Sequence, residues 1–339
     1  MADALPWQGT EPGLQKHCLL FFLYTLHSLS SYNMRYNSYS TWIRQQFPFR
    51  VQKIAVDAGF SCPNRDGHIS TGGCIFCDNR TFNPSYCNPE KSITTQLEEG
   101  KQFFSHKYPD MKYLAYFQAY SNTYADIDTL KRRYEEALDV GNVVGLVIGT
   151  RPDCIDATTL NYLEQLNQQT FLIVEYGIES ANNTTLQRIN RGHTFETSCQ
   201  AIEATHDRGI LTGGHVILGL PGEDEAESMR QADLISTLPL DLLKIHQLQI
   251  IKGTPLARLY QQNPFPLYTV DEYIRLVTAY LERLRPDIVV ERFVSQSPKE
   301  MKIAPQWGLK NHEFTDRLLN YMTRTNAQQG RLYHALGYQ

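Results

Sequence analysis

The chain has 339 residues, 42% of them hydrophobic and 20% charged, with a formal net charge of −4. That balance suits a folded chain with a sizeable core and excludes a disordered one. The charge gives no overall attraction to nucleic acid or anionic membrane, and seven unevenly spaced cysteines do not fit a secreted disulfide scaffold, which points to the cytoplasm.

Near the start, the apolar run Leu19–Leu26 falls well short of the ~20 residues that span a membrane, and no small-x-small cleavage site follows it. Globular patterning begins at Met34. Residues 1–33 are therefore read as a poorly ordered N-terminal extension, or as translated sequence upstream of a start at Met34.

From Lys53 onward, β-rich runs alternate with amphipathic stretches, the pattern of βα units and a parallel sheet. The expected strands are Lys53–Ala58, Tyr113–Ala119, Val143–Gly149, Phe171–Gly177, Gly214–Gly219 and Leu242–Ile251. The expected helices between them are Ile93–Tyr108, Thr129–Val140, Ala157–Asn167, Phe195–Arg208 and Glu225–Thr237, with Gly141 and Gly209 as C-caps. Six such units give an α/β fold, a partial (β/α)6 TIM-type barrel over residues 34–251. Residues 252–339, punctuated by Pro264, Pro266 and Pro286, read as a C-terminal α/β cap: helix Val270–Leu284, strand Ile288–Val294 and a helix around Thr315–Thr325. From Glu282 to Gln339 nine Lys/Arg face six Asp/Glu, so this tail leans basic.

Three cysteines stand together in the loop 57–83, after the first strand: Cys62, then Cys74 twelve positions on, then Cys77. Gly72 and Gly73 let the loop fold back, and Arg65, Asp66 and His68 make it unsuited to ordinary core. Three thiolates on one loop can hold an iron–sulfur cluster with one iron left open. A zinc site with His68 or a distant fourth ligand, and unpaired structural cysteines, both remain open on spacing alone. The other four cysteines, Cys18, Cys87, Cys154 and Cys199, have no grouping that suggests a second cluster.

With Phe76 directly before Cys77, and with Cys-Pro-Asn-Arg-Asp-Gly and Gly-Gly-Cys-x-Phe-Cys around the cysteines, the loop resembles the cluster loop of radical S-adenosylmethionine (SAM) enzymes. The first gap is longer than that superfamily's commonest spacing, and the chain is similar to the YhcC-type subfamily, related to the radical domain of the Elongator catalytic subunit. The resemblance covers residues 34 to about 325 and implies a 4Fe–4S cluster on Cys62, Cys74 and Cys77, with SAM as cofactor.

The same resemblance implies roles at the strand ends. Gln118, Tyr120 and Asn122, in place of the usual glycine pair and acid, would serve the methionine amino group, beside Phe76. Glu179 and Ser180 would serve the ribose hydroxyls or the amino group, and Arg191 the methionine carboxylate. Leu218 and Gly219, in the run His215-Val-Ile-Leu-Gly-Leu-Pro-Gly-Glu223, would sandwich the adenine.

Arg151 reads either as a substrate-facing group or as the partner of Asp153. Lys244 and His246, polar inside a strand, read as substrate-facing or as part of a structural network. The family mechanism is one-electron cleavage of SAM to a 5′-deoxyadenosyl radical that takes hydrogen from a substrate. It implies an external flavodoxin- or ferredoxin-like reductant and no membrane. Two rivals stay open: an Elongator-like enzyme acting on RNA (tRNA), and a zinc-stabilised binding protein without redox chemistry.

Overall fold

The apolar runs in the middle of the chain form strands that are buried along almost their whole length, as parallel strands covered on both faces are. A computed structural model describes residues 34–81, 83–105 and 110–334. The extension expected over 1–33 lies outside the described residues. In chain order the elements are α1 (Tyr39–Gln46), β1 (Val51–Val56), α2 (Ile93–Ser105), β2 (Lys112–Phe117), α3 (Ile127–Leu138), β3 (Val143–Thr150), α4 (Ala157–Asn167) and β4 (Phe171–Glu179). There follow α5 (Asn183–Arg188), α6 (Phe195–His206), β5 (Leu211–Leu218), α7 (Glu225–Ile235), β6 (Leu242–Gln247) and β7 (Ile250–Ile251). The chain continues through α8 (Pro255–Gln262), α9 (Val270–Arg283), β8 (Val289–Arg292), β9 (Lys302–Ala304) and α10 (Asn311–Arg324).

Strands β1 to β6 and then β8 lie side by side in that order, every neighbour parallel, in a seven-stranded sheet. The sheet curls, because Lys53 on β1 and Glu291 on β8, at its two edges, meet at 2.6 Å across the interior. The architecture is the expected partial TIM-type barrel with a C-terminal extension. A seventh strand is added, since β8 of that extension pairs with β6.

The helices begin where the sequence supplies a cap. Asp126, Asp156, Thr194, Asp224 and Thr269 each accept from the backbone N–H three residues on, at the heads of α3, α4, α6, α7 and α9. In α3 the buried residues Leu130, Tyr134 and Ala137 form one stripe at helical spacing. Gly209 takes φ 69° as a C-cap glycine does, but at the Gly141 turn the left-handed residue is Asn142, φ 68°. The long sixth strand expected over Leu242–Ile251 breaks after Gln247. Gln247 and Gln249 both donate through Nε2 to Ser295 O, at 2.9 and 2.7 Å, and Ile250–Ile251 then pairs antiparallel with β9.

Alternation along the strands sorts the barrel interior into layers. At the strand N-termini Leu114, Val147, Ile173, Leu242 and Val289 pack with Ile43, Trp42 and Phe47, so α1 and its C-cap plug the bottom. Two residues further along come Tyr116, Glu175 and Lys244, which with Lys53 and Glu291 make a charged layer. Two residues further again, Gln118, Gly177 and His246 line a pocket. Among the described residues no helix is long and apolar enough to cross a membrane.

Candidate active site

The loop after β1 is closed by its own backbone. Arg65 N and Asp66 N donate to Cys62 O, Ile69 N to Pro63 O, and Gly73 N to Asn64 O. Gly72 and Gly73 adopt φ 84° and 81°, and a Cβ on Gly73 would stand 2.8 Å from Arg65 Nε. Glycine there lets Arg65 lie across the loop and donate from Nη2 to Cys77 O at 2.7 Å.

Cys62, Cys74 and Cys77 thereby line one pocket, together with Phe76. Asn64 Nδ2 and Arg191 Nη1 both donate to Cys74 Sγ, at 3.7 and 3.6 Å. Burial, with Cys74 alongside, pushes the Cys77 thiol up to about 11. Among the described residues no group of three or more His, Cys, Asp and Glu side chains is arranged to grip a single metal ion. His68 is exposed and does not line the pocket.

The other walls are the C-terminal ends of the barrel strands, where such barrels carry their chemistry. Gln118, Tyr120, Arg151, Glu179, Arg191 and His246 all line the pocket. Tyr120 and Glu179 hold φ values of 63° and 68°, a strained region for residues with a side chain, and β4 shifts register against β5 beside Glu179. Burial raises the Glu179 carboxyl although Arg191 opposes the shift. Arg191 donates from Nη2 to Gly177 O at 2.5 Å and stands 3.7 Å from Glu179 Oε1. A Cβ on Gly177 would meet those same two side chains at 2.5 and 2.7 Å, so this approach needs glycine. Arg151 grips Asp153 through Nε and Nη2, at 2.8 and 2.6 Å, while also facing the pocket. Arg191 Nε and Arg151 Nη1 are buried with no hydrogen-bond partner among the described residues.

Five of the expected residues do not line the pocket. Asn122 is buried and ties β2 to β3 by donating to Phe117 O and Gly149 O. Ser180 is buried and donates to Glu223 Oε1. Leu218 belongs to the apolar core, and Gly219, φ 87°, lies against the Tyr268 ring. Lys244 sits one layer below the pocket, donating to Glu175 Oε2 at 2.5 Å and to Tyr116 Oη at 2.9 Å.

The pocket residues not picked out as site residues in the sequence include Glu175, His215 and Arg292. Glu175 is the hub of the charged layer, also accepting from Lys53 Nζ and contacting His215 Nε2, each at 3.0 Å. Burial alone would raise its carboxyl, but Lys244 and Lys53 outweigh burial and hold it well below the usual carboxylate range. Burial and Lys244 push His215 down to about 4. The available signal was a charged residue inside an apolar run, as Glu175 stands in Phe171–Gly177.

Residues 66–234 match the Radical SAM superfamily and residues 240–324 the Radical_SAM C-terminal domain. The uncharacterized protein YtqA of Bacillus subtilis (strain 168) is 34% identical over 91% of this chain and 95% of its own length. The chain is a member of the radical SAM superfamily. Within it the kinship is YhcC-type: protein YhcC of Escherichia coli (strain K12) is 32% identical over 80% of this chain and 87% of its own. A shorter stretch, 53% of this chain and 33% of the relative, is 29% identical to the tRNA uridine(34) acetyltransferase of Methanocaldococcus infernus. The solved structure of archaeal Methanocaldococcus infernus Elp3 with an N-terminal deletion shares the fold at TM-score 0.62 and 17% identity. It covers 83% of this radical SAM chain, which spans 64% of that structure. Radical SAM proteins are enzymes that in general use SAM and a 4Fe–4S cluster.

Proposed function

We propose that this enzyme holds a 4Fe–4S cluster on Cys62, Cys74 and Cys77 and binds SAM beside it in the same pocket. The observation that carries the reading is that those three thiols share one cavity with Phe76, Gln118, Tyr120, Glu179 and Arg191 at the barrel's strand ends. The cluster and SAM supply the chemistry when bound, a one-electron cleavage of the sulfonium followed by hydrogen abstraction from a substrate.

The chain's own residues fit that pair. Asn64 and Arg191 donate to the Cys74 sulfur, the kind of contact that steadies a cluster thiolate. The buried free donors on Arg191 and Arg151 suit a carboxylate such as that of a bound amino acid. Burial raises the Glu179 carboxyl against the pull of Arg191, and its oxygens can accept from a hydroxyl or amino group. The enclosing barrel keeps water away from the reacting atoms. An external one-electron carrier of flavodoxin or ferredoxin type, in a reducing cytoplasm, completes the reading.

The test is anaerobic purification. We expect brown protein with about four iron and four sulfide per chain, which releases 5′-deoxyadenosine from SAM when reduced. Colourless protein carrying one zinc overturns the reading. A second reading, that the substrate is RNA, is favoured by the partial match to a tRNA uridine(34) acetyltransferase. It predicts salt-dependent RNA binding that weakens when Lys299, Lys302 and Lys310 are neutralised, and unchanged binding removes it.

A further inference from the structure

The charged layer sets two cations against two carboxylates, and a further cation lies beside it at the pocket. Lys53 and Lys244 share Glu175 and Glu291, every pair within 3.3 Å. Arg292 is the third cation in this part of the interior. The two histidines beside it add no negative charge and are kept neutral: burial and Arg292 hold His246 well below its ordinary value, and His215 is down at about 4.

A β-bulge creates this arrangement. Leu243 pairs with Val290 but Lys244 pairs with Arg292, so Glu291 is an extra residue in β8. In a regular strand consecutive side chains point to opposite faces. Here Glu291 reaches Lys53 and Lys244, while Arg292 lines the pocket that the cysteines also line. Among the described residues no carboxylate pairs with Arg292. Among those residues its one polar contact is 3.4 Å from Nη2 to His246 Nε2, and its Nε is buried without a partner. A planar fork of donors left open in a cavity wall matches the two oxygens of a carboxylate or phosphate.

We propose that Arg292, with His246 beside it, is the receptor for an oxyanionic group, carboxylate or phosphate, on the substrate. The inference rests on the reading of this pocket as the radical SAM active site and narrows its substrate to a molecule bearing such a group. Gln249 and Ser297, which line the same wall and bond each other at 2.5 Å, leave that wall polar around the anion.

The experiment uses the cluster-loaded full chain under anaerobic conditions, with inorganic phosphate and acetate as separate probes in calorimetric titrations. We expect one probe to bind saturably to the wild type, and its identity tells phosphate from carboxylate. Arg292→Gln should weaken that binding by about tenfold or more and Arg292→Lys by less, while Arg317→Gln, an exposed arginine on α10, leaves it unchanged. A second measurement needs no variant: phenylglyoxal labelling of Arg292 in the wild type, followed by peptide mass, should slow when the bound anion is present. No saturable binding, undiminished binding to Arg292→Gln, or labelling that the anion does not slow overturns the proposal. Release of 5′-deoxyadenosine from SAM, followed on the same preparations, separates the two failures. If SAM is cleaved and the anion ignores Arg292, the receptor is wrong; if SAM is not cleaved, the active-site reading is wrong.

Discussion

Lys244 Nζ lies 2.5 Å from Glu175 Oε2 in the middle of the barrel, and both side chains are almost fully buried. Charges removed from water in this way are tolerated only as a complete set, so breaking the set costs more than the pair contributes. Glu175→Gln leaves Lys53 and Lys244 to share Glu291 alone. We expect a loss of about 3–5 kcal/mol in stability, read from the urea midpoint at constant slope. Adding Lys244→Met to Glu175→Gln should recover part of that loss, because it removes one of the stranded cations.

The same layer makes stability depend on pH. His215 is pushed down to about 4 in the folded chain, first by burial and then by Lys244, with Arg292 adding to the effect and Glu175 opposing it. Unfolded histidine titrates near ~6.5, so between the two values the unfolded chain binds more protons and acid favours unfolding. The stabilisation is whole above about pH 6.5 and fades as pH falls toward 4, amounting to at most about 3 kcal/mol. His215→Gln should flatten the stability profile across that window. A profile as steep as that of the wild type would show that other groups govern it.

Gly177→Ala tests the pocket without replacing a charged residue. The new methyl would meet Arg191 Nη2 at 2.5 Å and Glu179 Oε1 at 2.7 Å, and both side chains must shift. Overpacking of this kind costs about 1–3 kcal/mol, yet the larger effect should fall on function. We expect SAM cleavage to drop by about tenfold or more, with iron content retained, as measured by 5′-deoxyadenosine release and iron analysis.

Cys87 separates a structural thiol from the three in the pocket. It lies outside the pocket lining, donates to Ala55 O at 2.9 Å, and burial raises its thiol to about 12. Cys87→Ser keeps the donor and should retain about four iron per chain, with stability within about 1 kcal/mol of the wild type. Cys62→Ala, Cys74→Ala and Cys77→Ala should each lose iron and SAM cleavage.

Local pattern made most of the architecture legible. The runs Phe171–Gly177 and Val143–Gly149 are apolar enough to be strands buried on both sides, and the Asp and Thr caps mark the helix starts. The pocket lining was legible where it is local in sequence, in the loop from Cys62 to Cys77 and the turn carrying Glu179. Tyr120 and Glu179 were selected by their place at strand ends, but their left-handed backbone was not visible, since no residue type announces it. Asn122 and Ser180 show the converse: polar side chains at strand ends that the backbone and Glu223 occupy.

By itself the sequence determined the three-cysteine loop, the alternation of strand and helix, and the family. Only the tertiary structure decided which polar residues belong to the pocket and which lie beneath it. Lys53, Glu175, Lys244 and Glu291 come from four strands and meet only when the sheet curls, and Lys53 and Glu291 are 238 residues apart in the chain. Arg292 faces the cavity only because a bulge at Glu291 turns two consecutive side chains inward, a change of register that strand propensity does not encode.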